Sequence, residues 1–193
     1  MDSQTGELRK VHIFASTVGV SSMLYAKAFP DEKLPRFVAG TVHALGHYGA
    51  ISKHPVPDNL RTAVTMHIKD ELILNTAYQG LEQFYEVVIL SPPTRKPKGK
   101  ATVGKGVQWL EPHLLEDLKE QVYYCLVELN QTIYRIVRNL NDRKFQGQNF
   151  SRKEVFEAYD KPKLRPLTNG YFVSCDYRYF AKVPKHICIS VIQ

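Results

Sequence analysis

VHIFASTVGVSSMLYAKAF, residues 11–29, decides the fold class. Val11 to Val18 (VHIFASTV) is apolar and β-branched, as a buried strand requires. Met23 to Phe29 (MLYAKAF) has the same texture, and Ser21-Ser22 between them suits a turn, so the two segments read as a hairpin. Helical periodicity follows. Asp31 is placed to N-cap a helix running to about Tyr48, with Leu34, Phe37, Val38, Thr41, Leu45 and Tyr48 recurring at helical spacing and Gly49 as its stop. Ile51 to Pro57 is a strand-like connector ending at Asp58. A second helix is expected from Asn75 to Tyr85, with Ala77, Tyr78, Leu81, Phe84 and Tyr85 inward. Val87 to Leu90 (VVIL) is apolar throughout, like a strand covered on both faces. The order β-β-α-β-α-β-α predicts an α/β fold, a mixed sheet with flanking helices.

Further along, Ser91 to Gly106 (SPPTRKPKGKATVGKG) holds five basic residues, and no carboxylate occurs from Val87 to Leu110. The tract reads as a basic, solvated loop. Pro112 then opens a long helix whose apolar stripe is Leu115, Leu118, Val122, Leu126, Leu129, Ile133, Val137 and Leu140. Its acids Glu116, Asp117 and Glu120 come early and Arg135, Arg138 and Arg143 late, as the helix dipole favours. Phe145 to Leu167 is polar and proline-punctuated, and Tyr171 to Ile192 alternates like the start of a small β module. The expected division is a core at 1–110, a helical extension at 111–145 and the beginning of the β module at 146–193. Thr5-Gly6 suits a turn with no strand before it, so the sheet reads as cut at its front.

The 193 residues carry 26 Lys and Arg against 19 Asp and Glu, a formal charge of +7. That balance favours a polyanionic partner such as nucleic acid. Cys125, Cys175 and Cys188 are far apart, which suggests reduced thiols and neither a disulfide framework nor a zinc knuckle. MDSQTGELRK lacks a signal peptide's apolar region, and no apolar run reaches membrane-spanning length, so a cytoplasmic protein is expected.

Three constellations bear on chemistry. Gly99 to Gly106 (GKATVGKG) matches the GxxxxGK phosphate loop, but Gly106 stands where a Mg²⁺-binding hydroxyl must be. His43 and His47 have the i, i+4 spacing of zinc ligands, but HALGH lacks the Glu of a zincin and a third ligand, so two ordinary helix histidines fit better. Asp58, in VPDNL, would be a turn residue on its own. Brought beside other carboxylates, it would hold a divalent cation next to a scissile phosphate.

VPDNL, followed downstream by KPKGKATVGKGVQ at 96–108, resembles the IstA-type transposases of insertion sequences that also encode a helper ATPase. The resemblance runs along nearly the whole chain. The hairpin and its YAKAF resemble the family's second and third strands, and Phe37 to Gly49 its helix and glycine turn. HPVPDNLRTAV (54–64) is similar to VPDNLKSAV, LNDRKFQ (140–146) to LNxRPFQ, and FSRKEVFEAYDKPKLRP (150–166) to SRxxxFEEExPxLRP. The resemblance implies a partial RNase H-like integrase core, a Mg²⁺-binding DDE carboxylate set and strand transfer on DNA. It makes Asp58 the second acid and a metal ligand. The first acid belongs on a strand before Gly6, and Asp2 is not assigned to it. The third belongs in KPKDKAxVE, where this chain has Gly104 for the Glu and Gly99 for the preceding Asp. Glu111, seven positions on, is a poor substitute. The expectation is a truncated transposase fragment, catalytically inactive alone. DNA binding would rest on Arg95, Lys96, Lys98, Lys100 and Lys105, with the helper ATPase and an oligomer on DNA as partners. The alternatives are an active Mg²⁺-dependent strand transferase and, further off, a P-loop-like NTPase.

Overall fold

The computed structural model describes residues 6, 8–52, 64–68, 71–74, 76–88, 97–167 and 170–173. β1 (His12–Val18) and β2 (Met23–Phe29) form the expected antiparallel hairpin, with Val18 opposite Met23 and His12 opposite Phe29. β1 is not the buried strand expected: Ile13 is exposed and the rest only partly covered, while β2 is buried apart from Lys27. Gly19 (φ +68°) and Ser22 (φ +52°) make the turn. A side chain at position 19 would be excluded twice, because a Cβ there would lie 2.1 Å from the Asp160 carboxylate. That carboxylate accepts hydrogen bonds from the Val20 and Ser21 N–H groups, both at 2.9 Å. A residue 139 positions away therefore holds the hairpin tip.

α1 (Leu34–Tyr48) begins three residues after Asp31. Asp31 accepts from the Lys33 N–H, Lys33 occupies the N-cap position without a side-chain cap, and Pro35 pre-sets the first turn. Gly49 ends the helix in the left-handed conformation, as expected, and its N–H reaches the Leu45 and Gly46 carbonyls. α1 packs on two sides. Gly40 lets the Phe14 ring of β1 approach, while Val38 and Val42 join Leu81, Tyr85 and Val87.

β3 (Ala50–Ile51) follows, then β4 (Val64–Ile68) and β5 (Glu71–Leu74), an antiparallel pair with a bulge that the sequence reading did not foresee. α2 (Thr76–Tyr85) matches its expected span. Val87 to Leu90 was expected to be a buried strand. Val87 is buried, but Val88 is exposed and neither is in a strand, while residues 89 and 90 lie outside the described part. The cause is local: the chain leaves α2 through Glu86 at φ +50°, and the Val87 N–H still bonds back to Glu82.

α3 (Pro97–Leu118) corrects two expectations. The stretch from Pro97 to Gly106 is helix, not solvated loop, and Pro112 lies inside that helix instead of opening a new one. The long helix expected from Pro112 is also broken at 119–125, and α4 (Leu126–Asp142) starts afresh. Cys125 is its N-cap, with Sγ accepting from the Glu128 N–H, while Glu128 accepts from the Tyr124 N–H. This is half of a capping box, with Cys standing for Ser and the Glu side chain reaching the amide one residue before the N-cap.

The apolar stripe of α4 does not stand apart as an extension. Leu129, Ile133, Ile136, Val137 and Leu140 form one cluster with Leu24, Ala26 and Ala28 of β2 and with Leu110 and Leu114 of α3. The C-terminal part crosses back over this core. Ser151 and Glu154 make a capping box at α5 (Arg152–Val155), which continues as a π turn (Phe156–Asp160) and a 3₁₀ turn (Lys161–Lys163). Then β6 (Arg165–Pro166) pairs antiparallel with β3. Among the described residues the mixed sheet appears as three antiparallel pairs, β1-β2, β3-β6 and β4-β5.

Candidate nucleic-acid interface

The basic tract now has a helical frame. Lys98, Lys100, Lys105, Gly99 and Gly104 all fall on α3, whose backbone is described there. Arg95 and Lys96, expected in the same tract, lie outside the described residues. α3 is fixed to the hairpin through Gly106, where a Cβ would meet Thr17 Cγ2 at 2.5 Å. Leu110 and Leu114 continue the same packed face, at 1 % and 2 % exposure. At about 100° per residue, position 104 is roughly 160° around the helix from Gly106, and positions 98 and 105 share one flank. The tract is thus the first part of a helix that is anchored to β1 through Gly106, with positions 98 and 105 on one flank and position 100 well around from both.

This geometry removes the nucleotide-loop alternative. A P-loop needs an irregular turn whose free N–H groups cradle phosphates, and here Gly99 to Gly106 are helical. Glycine inside a helix costs about 1 kcal/mol relative to alanine. Within the tract, Gly106 is the glycine whose surroundings are described, and its close packing on Thr17 explains it.

Asp58 lies outside the described residues. Its approach is nonetheless framed. β3 ends at Ile51, seven positions before it, and β3 is held by β6 and by the Leu167 N–H bonding to the Gly49 carbonyl. Arg165 of β6 pairs with Glu86 at 2.8 Å and bonds to the Tyr85 carbonyl. Glu111, the substitute weighed for position 104, is exposed on α3.

The two histidines of α1 behave as helix residues. His43 Nδ1 is 3.1 Å from Lys27 Nζ, and its ring stacks with Phe29. Burial, and next the Lys27 charge, hold its pKa below the ordinary value. His47 sits among Tyr25, Tyr48 and Tyr134 with Nε2 buried and without a hydrogen-bond partner, and burial lowers its pKa despite an opposing pull from the Leu24 carbonyl. Among the described residues no three His, Cys, Asp or Glu side chains converge to hold a metal.

The sequence reading missed a second carboxylate-free interval, Arg143 to Lys153. A search for acid-free runs with several cations would have found it. It also missed Asp160 and Asn141, buried polar residues whose partners are more than a hundred positions away. No local pattern marks such residues.

No protein-family model matches the chain. In Pseudomonas fluorescens, a protein provisionally named transposase for insertion sequence IS1162 is 34 % identical over 167 residues, covering 86 % of this chain and 30 % of that protein. In Sinorhizobium fredii, a protein provisionally named transposase (y4bL/y4kJ/y4tB) is 32 % identical over 167 residues, 86 % of this chain and 32 % of its own length. The chain therefore spans about a third of the length of these relatives. Among solved structures, the catalytic core domain of BIV integrase superposes with a TM-score of 0.59 at 12 % identity, covering 78 % of this chain and 88 % of that domain. The fold is accordingly the RNase H-like integrase core expected from the sequence.

Proposed function

We propose that this chain, a relative of the IstA-type insertion-sequence transposases, is a DNA-holding portion of such a transposase that does not itself transfer strands. The observation that carries the reading is the combination at α3: a helix of an integrase-core-like fold whose first turns carry several lysines and no acid, with glycine at position 104. In this reading Lys98, Lys100 and Lys105, with Arg95 and Lys96 before them, neutralise backbone phosphates without reading sequence. Asp58 is the second acid of the DDE set and the metal ligand by descent.

A catalytic Mg²⁺ pair needs several carboxylates around it. Gly104 offers no side chain where the third acid belongs, so the residues present do not fit a productive metal site. No chemical step is therefore assigned to one. What remains is binding and positioning: α3, seated on β1 through Gly106, carries the lysines of the tract on a helix fixed to the hairpin. The partners under this reading are DNA, the element's helper ATPase and further copies assembled on the DNA, in the cytoplasm. No helix among the described residues is long and apolar enough to cross a membrane.

The test has two arms. Fluorescence anisotropy with a labelled duplex should give binding that weakens steadily with salt and varies little with sequence. A Mg²⁺-dependent strand-transfer assay on element-end DNA should give no product. Transfer that is abolished by Asp58→Ala would overturn the inactive reading, and absence of salt-dependent duplex binding would overturn the DNA-holding one.

A further inference from the structure

Past the end of α4 the chain makes a tight, ordered hairpin. Lys144 and Ser151 form an antiparallel bridge, the Phe145 N–H donates to the Phe150 carbonyl at 3.0 Å, and the Gln148 N–H donates to the Phe145 carbonyl at 3.0 Å. Gly147 turns the tip at φ +72° with nothing within 4 Å of where a Cβ would be. The Phe145 and Phe150 rings meet edge to face at 5.9 Å. Beneath them the Arg152 guanidinium lies 4.0 Å from the Trp109 ring centroid of α3 and 4.9 Å from that of Phe145. The hairpin is therefore stiff, and it is attached to the helix that carries the basic tract.

Its chemistry is one-sided. From Arg143 to Lys153 there is no carboxylate, while Arg143, Lys144, Arg152 and Lys153 stand at the base and Gln146, Gln148 and Asn149 are exposed at the tip. The flanking carboxylates offset part of this charge: Asp142 pairs with Lys153, and the Ser151 hydrogen bonds and then the Lys144 charge lower the Glu154 pKa. Asp142 faces Arg138 and Lys153, and Glu154 accepts the Ser151 N–H at 2.7 Å in the capping box. Arg152 is 8 % exposed with no acid beside it, its Nη1 reaches only the Leu140 carbonyl, and its Nε has no partner. Among the described residues, Arg143 and Lys144 form no ion pair. A buried cation without a counter-ion, under exposed cations, focuses positive potential outward.

We propose that the 143–153 hairpin is a second DNA contact, with Arg143 and Lys144 on backbone phosphates and the amides of Gln146, Gln148 and Asn149 directed at a groove. Basic side chains flanking amides is the chemistry of duplex recognition, since cations neutralise phosphates and amides pair with base edges. This rests on the DNA-holding reading and adds to it a site distant in sequence from the 95–105 tract.

The experiment measures duplex binding by anisotropy across a salt series, for the whole chain and its variants. Arg143→Ala with Lys144→Ala should reduce the log–log salt slope by about two and weaken binding on the order of tenfold per contact near 0.1 M salt. Gln148→Ala with Asn149→Ala should weaken binding several-fold and leave the slope unchanged. Lys161→Ala, whose ammonium is already paired with Glu157, should change neither. All substituted positions are exposed, and circular dichroism confirms that the variants stay folded. A wild-type protein that binds, with slope and affinity unaltered in both hairpin variants, overturns this proposal alone. A wild-type protein that binds no duplex overturns the DNA-holding reading with it.

Discussion

Two asparagines of α4 close the free edge of β2, and removing them should have unequal effects. Asn141 accepts from the Leu24 N–H and donates to the Leu24 carbonyl, both at 2.9 Å. Asn130 makes the same pair of bonds with Ala28, at 2.7 and 3.0 Å. The spacing makes this possible: eleven residues of helix span about 16 Å and four of strand about 13 Å. The helix side thus supplies hydrogen bonds that an adjacent strand would otherwise provide. Asn141 is 2 % exposed and Leu24 fully buried, so Asn141→Ala leaves one donor and one acceptor of Leu24 without partner or water. At roughly 1–3 kcal/mol for each unsatisfied buried group, the loss should reach about 3 kcal/mol or more. Asn130 is half-buried and water can replace its amide, so Asn130→Ala should cost about 1 kcal/mol. Urea unfolding followed by Trp109, the single tryptophan, measures both directly. The thermal midpoint of Asn141→Ala should fall by roughly 6–12 °C. Equal losses for the two variants, or a loss below about 1 kcal/mol for Asn141→Ala, would refute the edge-closing role.

Asp160→Ala should destabilise by about 2 kcal/mol or more, since the Val20 and Ser21 N–H groups lose their acceptor, and hydrogen exchange should rise at those two amides first. Gly106→Ala should destabilise by about 1–3 kcal/mol through the Thr17 contact, and Thr17→Ser, which removes Cγ2, should recover most of it in a double-mutant cycle. Burial holds the His47 pKa below its ordinary 6.5, so the folded state binds that proton less readily than the unfolded chain. Stability is then complete above pH 6.5 and declines as pH falls below it, and His47→Phe should flatten that decline in denaturant midpoints taken from pH 7.5 to 5. Gly104→Glu should raise stability by about 0.5 kcal/mol through helix propensity, a gain that a thermal melt can read. If the DDE reading of Asp58 holds, the same variant should also increase Mn²⁺ affinity in a way that Asp58→Ala reverses.

What the sequence disclosed depended on how far each interaction reaches. The β1-β2 hairpin, the Gly49 stop of α1 and the span of α2 are set by neighbours in the chain, and they were legible. α3 was not, because its first ten residues hold three glycines and read as loop until Gly106 is seen against Thr17. The break before α4 was missed because a cysteine occupies the capping position normally read from Ser, Thr, Asp or Asn. The residues that carried the family resemblance also have a physical role. In FSRKEVFEAYDKPKLRP, Ser151 and Glu154 cap α5, Phe156 enters the core, Asp160 holds the hairpin tip and Arg165 ties β6 to α2. These are structural tasks, retained for folding whether or not the chain cuts DNA. Resemblance along this motif therefore speaks to fold and descent, and by itself says nothing about catalysis. Under the proposed DDE correspondence position 104 bears on catalysis instead, and it falls about 160° around α3 from Gly106, the position that meets Thr17. Gly104→Glu therefore tests that correspondence through two separate readouts, helix propensity in the thermal melt and Mn²⁺ affinity against Asp58→Ala.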